Sequence, residues 1–295
     1  MIVRVGVTLP QFSGDPRLFT EGAHVAEELG LDSLWVFDHL WPLSGGKERP
    51  TYEGWTSLAW LAAETTGIQV GTLVTRSSLR HPALLGKMVT TAGEIAPGRI
   101  VAAIGSGDEK SRAENEAFGI PYYAGDDRID QLRSTVETVV NFLQRDRFSL
   151  EDDFVSIADM PVSPRPVPRP SVWVGGRSDD TLEVAAMLAD GWNAWAGTPE
   201  RFAQDAGNVL EMAGERAVEL SWGGLVVLRA TDAEAATALA GRSPRGMIVG
   251  GPGTVARRLR EYIDAGAHHL ILTFATKWDT RYLRLLAEEV VPRLH

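Results

Sequence analysis

Strand-like and helix-like segments alternate along all 295 residues, which predicts an α/β protein built as a (β/α)8 TIM barrel with insertions. Two further observations favour a closed barrel over an open doubly wound sheet, the competing arrangement. The alternation has eight units, and the length suits one barrel domain. Titratable, aromatic and glycine residues also gather where strands hand over to helices, and the strand starts are poorer in them.

The elements follow in order. Ile2 to Leu9 reads as a first strand closed by Pro10, and Arg17 to Gly30 has helical spacing with Gly30 as its stop. Ser33 to Phe37 is the second strand, Thr56 to Thr66 a helix, and Ile68 to Val74 the third strand. His81 to Ile95 is a helix with Pro82 in its first turn, where a missing N–H costs nothing. Arg99 to Ile104 is the fourth strand and Asp126 to Leu143 a long amphipathic helix. Val172 to Val174, Gly191 to Trp195, Leu225 to Leu228 and His268 to Phe274 supply the remaining strands. Their helices run over 178–188, 199–212, 253–265 and 279–294.

Two stretches break the rhythm, so residues 1–295 are expected to form one barrel domain with excursions at about 144–170 and 230–252. The first ends in Pro161-Val-Ser-Pro-Arg-Pro-Val-Pro-Arg-Pro170, which excludes a central strand because each proline removes a ladder donor. The second, broken at Ser243-Pro244 and Gly251-Pro252, is expected to fold over the barrel mouth as a mobile lid.

Composition narrows the function. Hydrophobic residues make up 44% and charged residues 23%, the balance of a globular protein with a sizeable core. A net charge of −10 argues against a nucleic-acid surface, and no apolar run is long enough for a membrane span, so a cytoplasmic enzyme is expected. The absence of cysteine removes thiolate nucleophiles, disulfides and sulfur-ligated metals. His39, His81 and His268-His269 lack paired metal-ligand spacing, and no Gly-x-Ser-x-Gly marks a serine hydrolase. No metal is expected.

The chemistry concentrates at one strand end, where Ser33-Leu-Trp-Val-Phe37 stops at Asp38-His39 with Trp41 just beyond. An acid beside an imidazole at the C-terminal end of a barrel strand suits proton transfer near neutral pH, and the same pair also suits an ordinary turn. Other strand ends contribute Gln11 and Phe12, Thr72-Leu-Val-Thr-Arg76, Ser106 to Glu109 and Trp195. Gly175-Gly176-Arg177-Ser178 opens a helix with Ser178 as its expected N-cap, an arrangement that admits a phosphate to backbone amides. Gly105-Ser106-Gly107 is a second tight turn with free amides, although glycines at βα turns also serve conformation alone.

Taken in order, these pieces resemble the luciferase-like flavin and deazaflavin oxidoreductase superfamily, and within it the coenzyme F420-dependent branch. The resemblance runs from Val5 to about Leu286. It rests on Gly6-Val-Thr-Leu-Pro-Gln11, Ser33 to His39, Gly71-Thr-Leu-Val-Thr75 with Arg80-His-Pro82, and Gly98-Arg-Ile. Gly105-Ser-Gly107, Glu114-Asn-Glu-Ala-Phe-Gly119, Pro170 through Gly176 and Ala189-Asp-Gly-Trp192 complete it.

The resemblance implies that coenzyme F420, or alternatively FMN, sits at the strand C-termini. Asp38 and His39 would lie beside its ring, and Thr72-Leu73-Val74 would back it through a non-prolyl cis peptide. Ser106 and Gly107 would also contact it, with Gly175, Gly176, Arg177 and Ser178 at its phosphate. Catalysis would fall to His39 with Asp38 and Asp108 as carboxylates. Where some F420 dehydrogenases have Gly-x-Gly-Glu, this chain has Gly105-Ser-Gly-Asp108-Glu109, and no basic set for a substrate phosphate is evident. The expectation is an F420-dependent oxidoreductase acting on a small organic molecule, as a homodimer. The alternatives are an FMN monooxygenase fed by a reductase partner and a non-catalytic flavin-binding protein.

Overall fold

Valines at every second position of Val3-Arg-Val-Gly-Val7 start the barrel as β1 (Arg4–Thr8), where successive side chains alternate between interior and helix layer. The computed structural model describes residues 3–42 and 46–294; Ile2, the expected start of the first strand, lies outside them. Strands β2 (Ser33–Val36), β3 (Gln69–Thr72), β5 (Ile100–Gly105), β8 (Ser171–Gly175), β9 (Gly191–Trp195), β10 (Glu219–Leu228) and β12 (His269–Phe274) follow β1 around the ring. All pairs are parallel, and β10 closes the circle by bonding β9 on one side and β12 on the other. The two-residue β4 (Thr75–Arg76) adds to the edge of β5.

The outer layer is α1 (Pro16–Glu28), α2 (Gly54–Glu64), α3 (Pro82–Ile95), α5 (Asp126–Gln144), α6 (Asp179–Leu188), α7 (Pro199–Ala213), α9 (Pro252–Asp264) and α10 (Thr280–Leu285). Short polar side chains start many of them. Asp15, Ser178, Thr198 and Asp279 each accept a backbone N–H of the following first turn, satisfying a donor the helix cannot. Ser178 is the N-cap that the sequence suggested.

The floor of the barrel is plugged. Trp35 and Trp173 lie with ring centroids 5.3 Å apart, and His269 stands edge-on to both. Glycines on neighbouring strands make the room, since a Cβ on Gly71 would fall 2.4 Å from the Trp35 ring and one on Gly191 2.5 Å from Trp173. His268-His269, placed by the sequence at the poor end of the barrel, is therefore packing at the floor, with His269 wholly buried.

Each excursion contains a strand pairing that the sequence reading did not include, while the short Ala-rich helix it placed in 230–252 is present. Residues 147–161 form an antiparallel hairpin, β6 (Arg147–Glu151) and β7 (Ser156–Pro161), outside the barrel. Phe148 and Ile157 pack there on Phe142 of α5; Pro161 ends β7 and the other prolines come after it, all outside the ring. The second excursion is anchored in the sheet along part of its length. It makes α8 (Asp232–Ala238) and then β11 (Met247–Gly250), which pairs with the upper half of β10. Ala235 and Leu239 pack on Val227, so apolar burial ties the segment to the sheet. β10 also begins six residues before the expected Leu225, because Ser221-Trp-Gly-Gly224 hides its strand signal. Gly223 must be small there, as a Cβ would reach within 3.0 Å of Trp195.

Candidate functional site

The second strand end is built to a fixed geometry. Gln11, wholly buried, donates from its amide to the Phe37 carbonyl and accepts the Phe37 N–H, each at 2.8 Å, which pins the backbone just before Asp38-His39. The Asp38 carboxylate lies buried against Arg80, whose two terminal nitrogens reach it at 2.6 and 2.8 Å. It also accepts the Arg76 N–H at 3.1 Å. Gly54 lets the start of α2 come against this acid, since a Cβ there would sit 2.8 Å from Oδ1. Asp38 is thus a fully paired anchor.

His39 meets a different carboxylate. Its Nδ1 is 2.9 Å from Oε2 of Glu114 on the short helix α4 (Arg112–Ala117), while the imidazole stays partly open to the mouth. Glu114 is buried and accepts the Leu40 N–H, and Arg76 Nη2 lies 3.1 Å from its other oxygen. Burial alone would raise the Glu114 carboxyl, but the His39 and Leu40 hydrogen bonds and the Arg76 charge outweigh it and hold the acid below the usual carboxylate range. Arg76 is itself locked, donating to the Asp38 carbonyl at 3.1 Å and to Asn115 Oδ1 at 2.9 Å. An ionised Glu114 accepts Nδ1–H, leaving Nε2 of His39 as the exchangeable nitrogen, with no hydrogen-bond partner among the described residues.

The remaining expected residues separate into two groups. Leu73–Val74 is a cis peptide, and Val74 wedges between the turns after β5 and β8. A Cβ on Gly105 or on Gly175 would fall 2.5 Å from its methyl groups, so both glycines serve the wedge. Gly107 and Gly176 have positive φ, +71° and +147°, open to glycine at little cost. Ser106 is half-buried beside them. These groups share the mouth with His39.

Four others are occupied elsewhere. Thr72 spends its hydroxyl on the Ala103 carbonyl at 2.9 Å, deep in the wall. Asp108 is exposed and caps the 3-10 turn 109–111 through Ser111, leaving Glu114 as the carboxylate against His39. Arg177 turns its guanidinium to buried Asp205 at 2.8 Å and to the Ala196 carbonyl at 3.1 Å. Ser178 caps α6 by accepting the Thr181 N–H. What remains for an anion at this turn is backbone N–H groups at the start of α6.

Glu114, Arg76, Arg80 and Asp205 are the site residues that the sequence reading passed over. One signal was available: two arginines directly after the third strand need buried carboxylates, and Glu114 lies in a motif already singled out. Among the described residues no cluster of His, Asp and Glu is arranged to hold a metal ion, and no helix is long and apolar enough to cross a membrane.

Comparison with known proteins adds three findings. The pattern defining the luciferase-like monooxygenase family matches residues 3–245. The F420-dependent glucose-6-phosphate dehydrogenase of Kineococcus radiotolerans is 27% identical, the match covering 95% of this chain and 93% of that protein. Among solved structures, an F420-dependent secondary alcohol dehydrogenase holding an F420–acetone adduct superposes with a TM-score of 0.86 at 17% identity, over the whole of both chains. The F420-dependent tetrahydromethanopterin reductase of Methanopyrus kandleri gives 0.80 at 18% identity, over 100% and 99% of the two chains.

Proposed function

The chain belongs to the luciferase-like monooxygenase family, and from that premise we propose that it is a coenzyme F420-dependent oxidoreductase. It would move a hydride between C5 of the deazaflavin and a small organic substrate. The observation that carries the reading is the His39–Glu114–Arg76 relay, with Nε2 of His39 unpartnered at the mouth beside the Val74 wedge. The name of the Kineococcus relative supports the cofactor.

The residues present fit such a group. Gly105 and Gly175 keep the space around Val74 clear of Cβ atoms, so a flat ring can be backed from one side. The start of α6 offers backbone N–H groups to a phosphate, while the Gly176 N–H is spent on the Asn193 carbonyl and Arg177 on Asp205 and the Ala196 carbonyl. When bound, the cofactor supplies the hydride chemistry. Glu114 keeps the Nδ1 proton in place, so His39 accepts or returns the accompanying proton at Nε2. Asp38 and Arg80 hold the strand end that carries His39.

Titration with F420, followed by its fluorescence, tests the cofactor directly. His39→Ala is then expected to lower turnover by about 100-fold or more, the usual worth of a general acid–base group, with F420 affinity little changed. Near-normal turnover would sink the assignment of His39. An FMN-dependent monooxygenase is the second reading, supported by the family's own description, and it would need reduced flavin from a reductase partner. A parallel FMN titration by absorbance separates the two.

We also propose that the protein acts as a homodimer. The support is two hollows along α2 and α3 that share Thr56 and Met88, one with Ala59 and Ile95 and the other with Leu84, in which Leu84 and Ile95 are about half exposed.

A further inference from the structure

Glu114 can serve His39 only if α4 is held in place, and α4 cannot hold itself. Six residues are too few for a helix to persist on intrinsic propensity, so its place depends on tertiary contacts. Apolar burial supplies few of them. Glu114 and Asn115 are the only buried residues of α4, and Phe118 at its end is 52% exposed, meeting Trp41 edge-on at 6.2 Å. The fixing therefore falls to polar groups.

Asn115 joins three separate pieces of the fold through a wholly buried side chain. Its amide oxygen accepts from Arg76 Nη1 at 2.9 Å, at the end of β4. Its amide nitrogen donates to the Ser78 hydroxyl at 3.0 Å, in the turn Ser77–Leu79, and to the Pro121 carbonyl at 2.7 Å, where the chain leaves α4. The Asn115 carbonyl accepts the Phe118 and Ile120 N–H groups at 3.2 and 2.9 Å, closing the helix behind it. Arg76 can only donate and the Pro121 carbonyl can only accept, so the amide has a single workable orientation. A carboxylate of the same shape would face the Pro121 oxygen with no proton to give. The same Arg76 reaches Glu114 with its guanidinium and Asp38 with its backbone N–H, so Asn115 also fixes the cation that stands between the two acids.

Resting on the oxidoreductase reading, we propose that Asn115 is a positioning residue for the proton step, acting through Glu114. By seating α4 and Arg76 it keeps Oε2 of Glu114 at Nδ1 of His39. That contact holds the Nδ1–H tautomer and leaves Nε2 free to exchange. Without the amide, Arg76 Nη1 loses its partner, α4 loses its tie to the barrel, and the carboxylate leaves the imidazole.

Imidazole nitrogen NMR shifts of the cofactor-free protein, assigned against His39→Ala, are expected to show His39 as the Nδ1–H tautomer. Asn115→Ala is expected to move it toward the Nε2–H form, and Glu116→Ala, at an exposed position of α4, to leave it as it is. In turnover with F420, Asn115→Ala is expected to lower kcat about tenfold, with F420 affinity within about twofold. In the Glu114→Gln background the same change should cost less than about twofold, because the group it serves is already gone. Asn115→Asp keeps the shape and the acceptor but loses both donors, and it should follow Asn115→Ala in every readout even where the alanine variant folds poorly. An unchanged tautomer, an unchanged kcat, or losses that multiply with Glu114→Gln overturns the role. Should the tautomer shift while F420 neither binds nor turns over, the oxidoreductase reading falls and the positioning of His39 by Asn115 stands.

Discussion

Glu114 decides what His39 can do. A carboxylate on Nδ1 selects one tautomer and fixes the ring, so its removal affects chemistry more than binding. Glu114→Gln is expected to lower kcat by about 10- to 100-fold with F420 affinity preserved, and to move the pH profile of kcat/KM. An unchanged profile would mean that Glu114 only packs. The acid side has a definite sign. Glu114 is held below its ordinary value, so the stabilisation it brings is complete above about pH 4.3 and is lost as pH falls through the lowered value. Asp38 shows the limit of reading residues one at a time. The Asp38-His39 pair stands together in the chain, yet the two side chains have separate partners, Arg80 for one and Glu114 for the other. Nothing local to residues 38 and 39 encodes a partner 75 positions away.

At the scale of elements, the turn from β8 into α6 is where the proposed anion site falls. Gly176 adopts a φ of +147°, where an L side chain is strained, and a Cβ would come 2.6 Å from Thr181. Gly176→Ala is expected to weaken F420 about tenfold and to cost roughly 1–3 kcal/mol of stability, read by fluorescence titration and by urea melts. Equal affinity in the variant would remove the phosphate from this turn. Glycine here was legible from sequence because its reason is local conformation. The role of Arg177 was not, since Asp205, which captures it, is set by the packing of α7 on α6. The hairpin β6–β7 escaped for a similar reason. Its first strand alternates polar and apolar residues over only five positions, and the second breaks the alternation at Asp159 and ends in Pro161.

Across the whole molecule, the floor and the outer groove make separate demands. His269 Nε2 lies 2.7 Å from the Ser33 hydroxyl, which accepts from Trp35 Nε1, and His269 Nδ1 faces Glu219 at 3.4 Å. Burial pushes its pKa down more than Glu219 raises it. A native imidazole that resists protonation binds fewer protons than the unfolded chain, so stability is full above about pH 6.5 and declines as pH falls below it. Denaturant midpoints at pH 8, 6 and 5 should show that slope, and His269→Gln should flatten it. For the dimer, Leu84→Lys with Ile95→Lys is expected to yield monomers in sedimentation velocity, and an unchanged sedimentation coefficient would place the interface elsewhere.

Eight alternating units, proline and glycine punctuation, and polar N-caps made the parallel barrel and its functional rim readable along the chain, because periodicity, φ preference and donor satisfaction act within a few residues. The partners at that rim are another matter. Glu114 on His39, Asp205 on Arg177, and β11 on the upper half of β10 join segments that meet only after the barrel closes. Ion pairs and ladder bonds depend on distance in space, and burial makes leaving any of them unpaired expensive. Folding therefore sets Glu114 against His39 and spends the charge of Arg177 on Asp205.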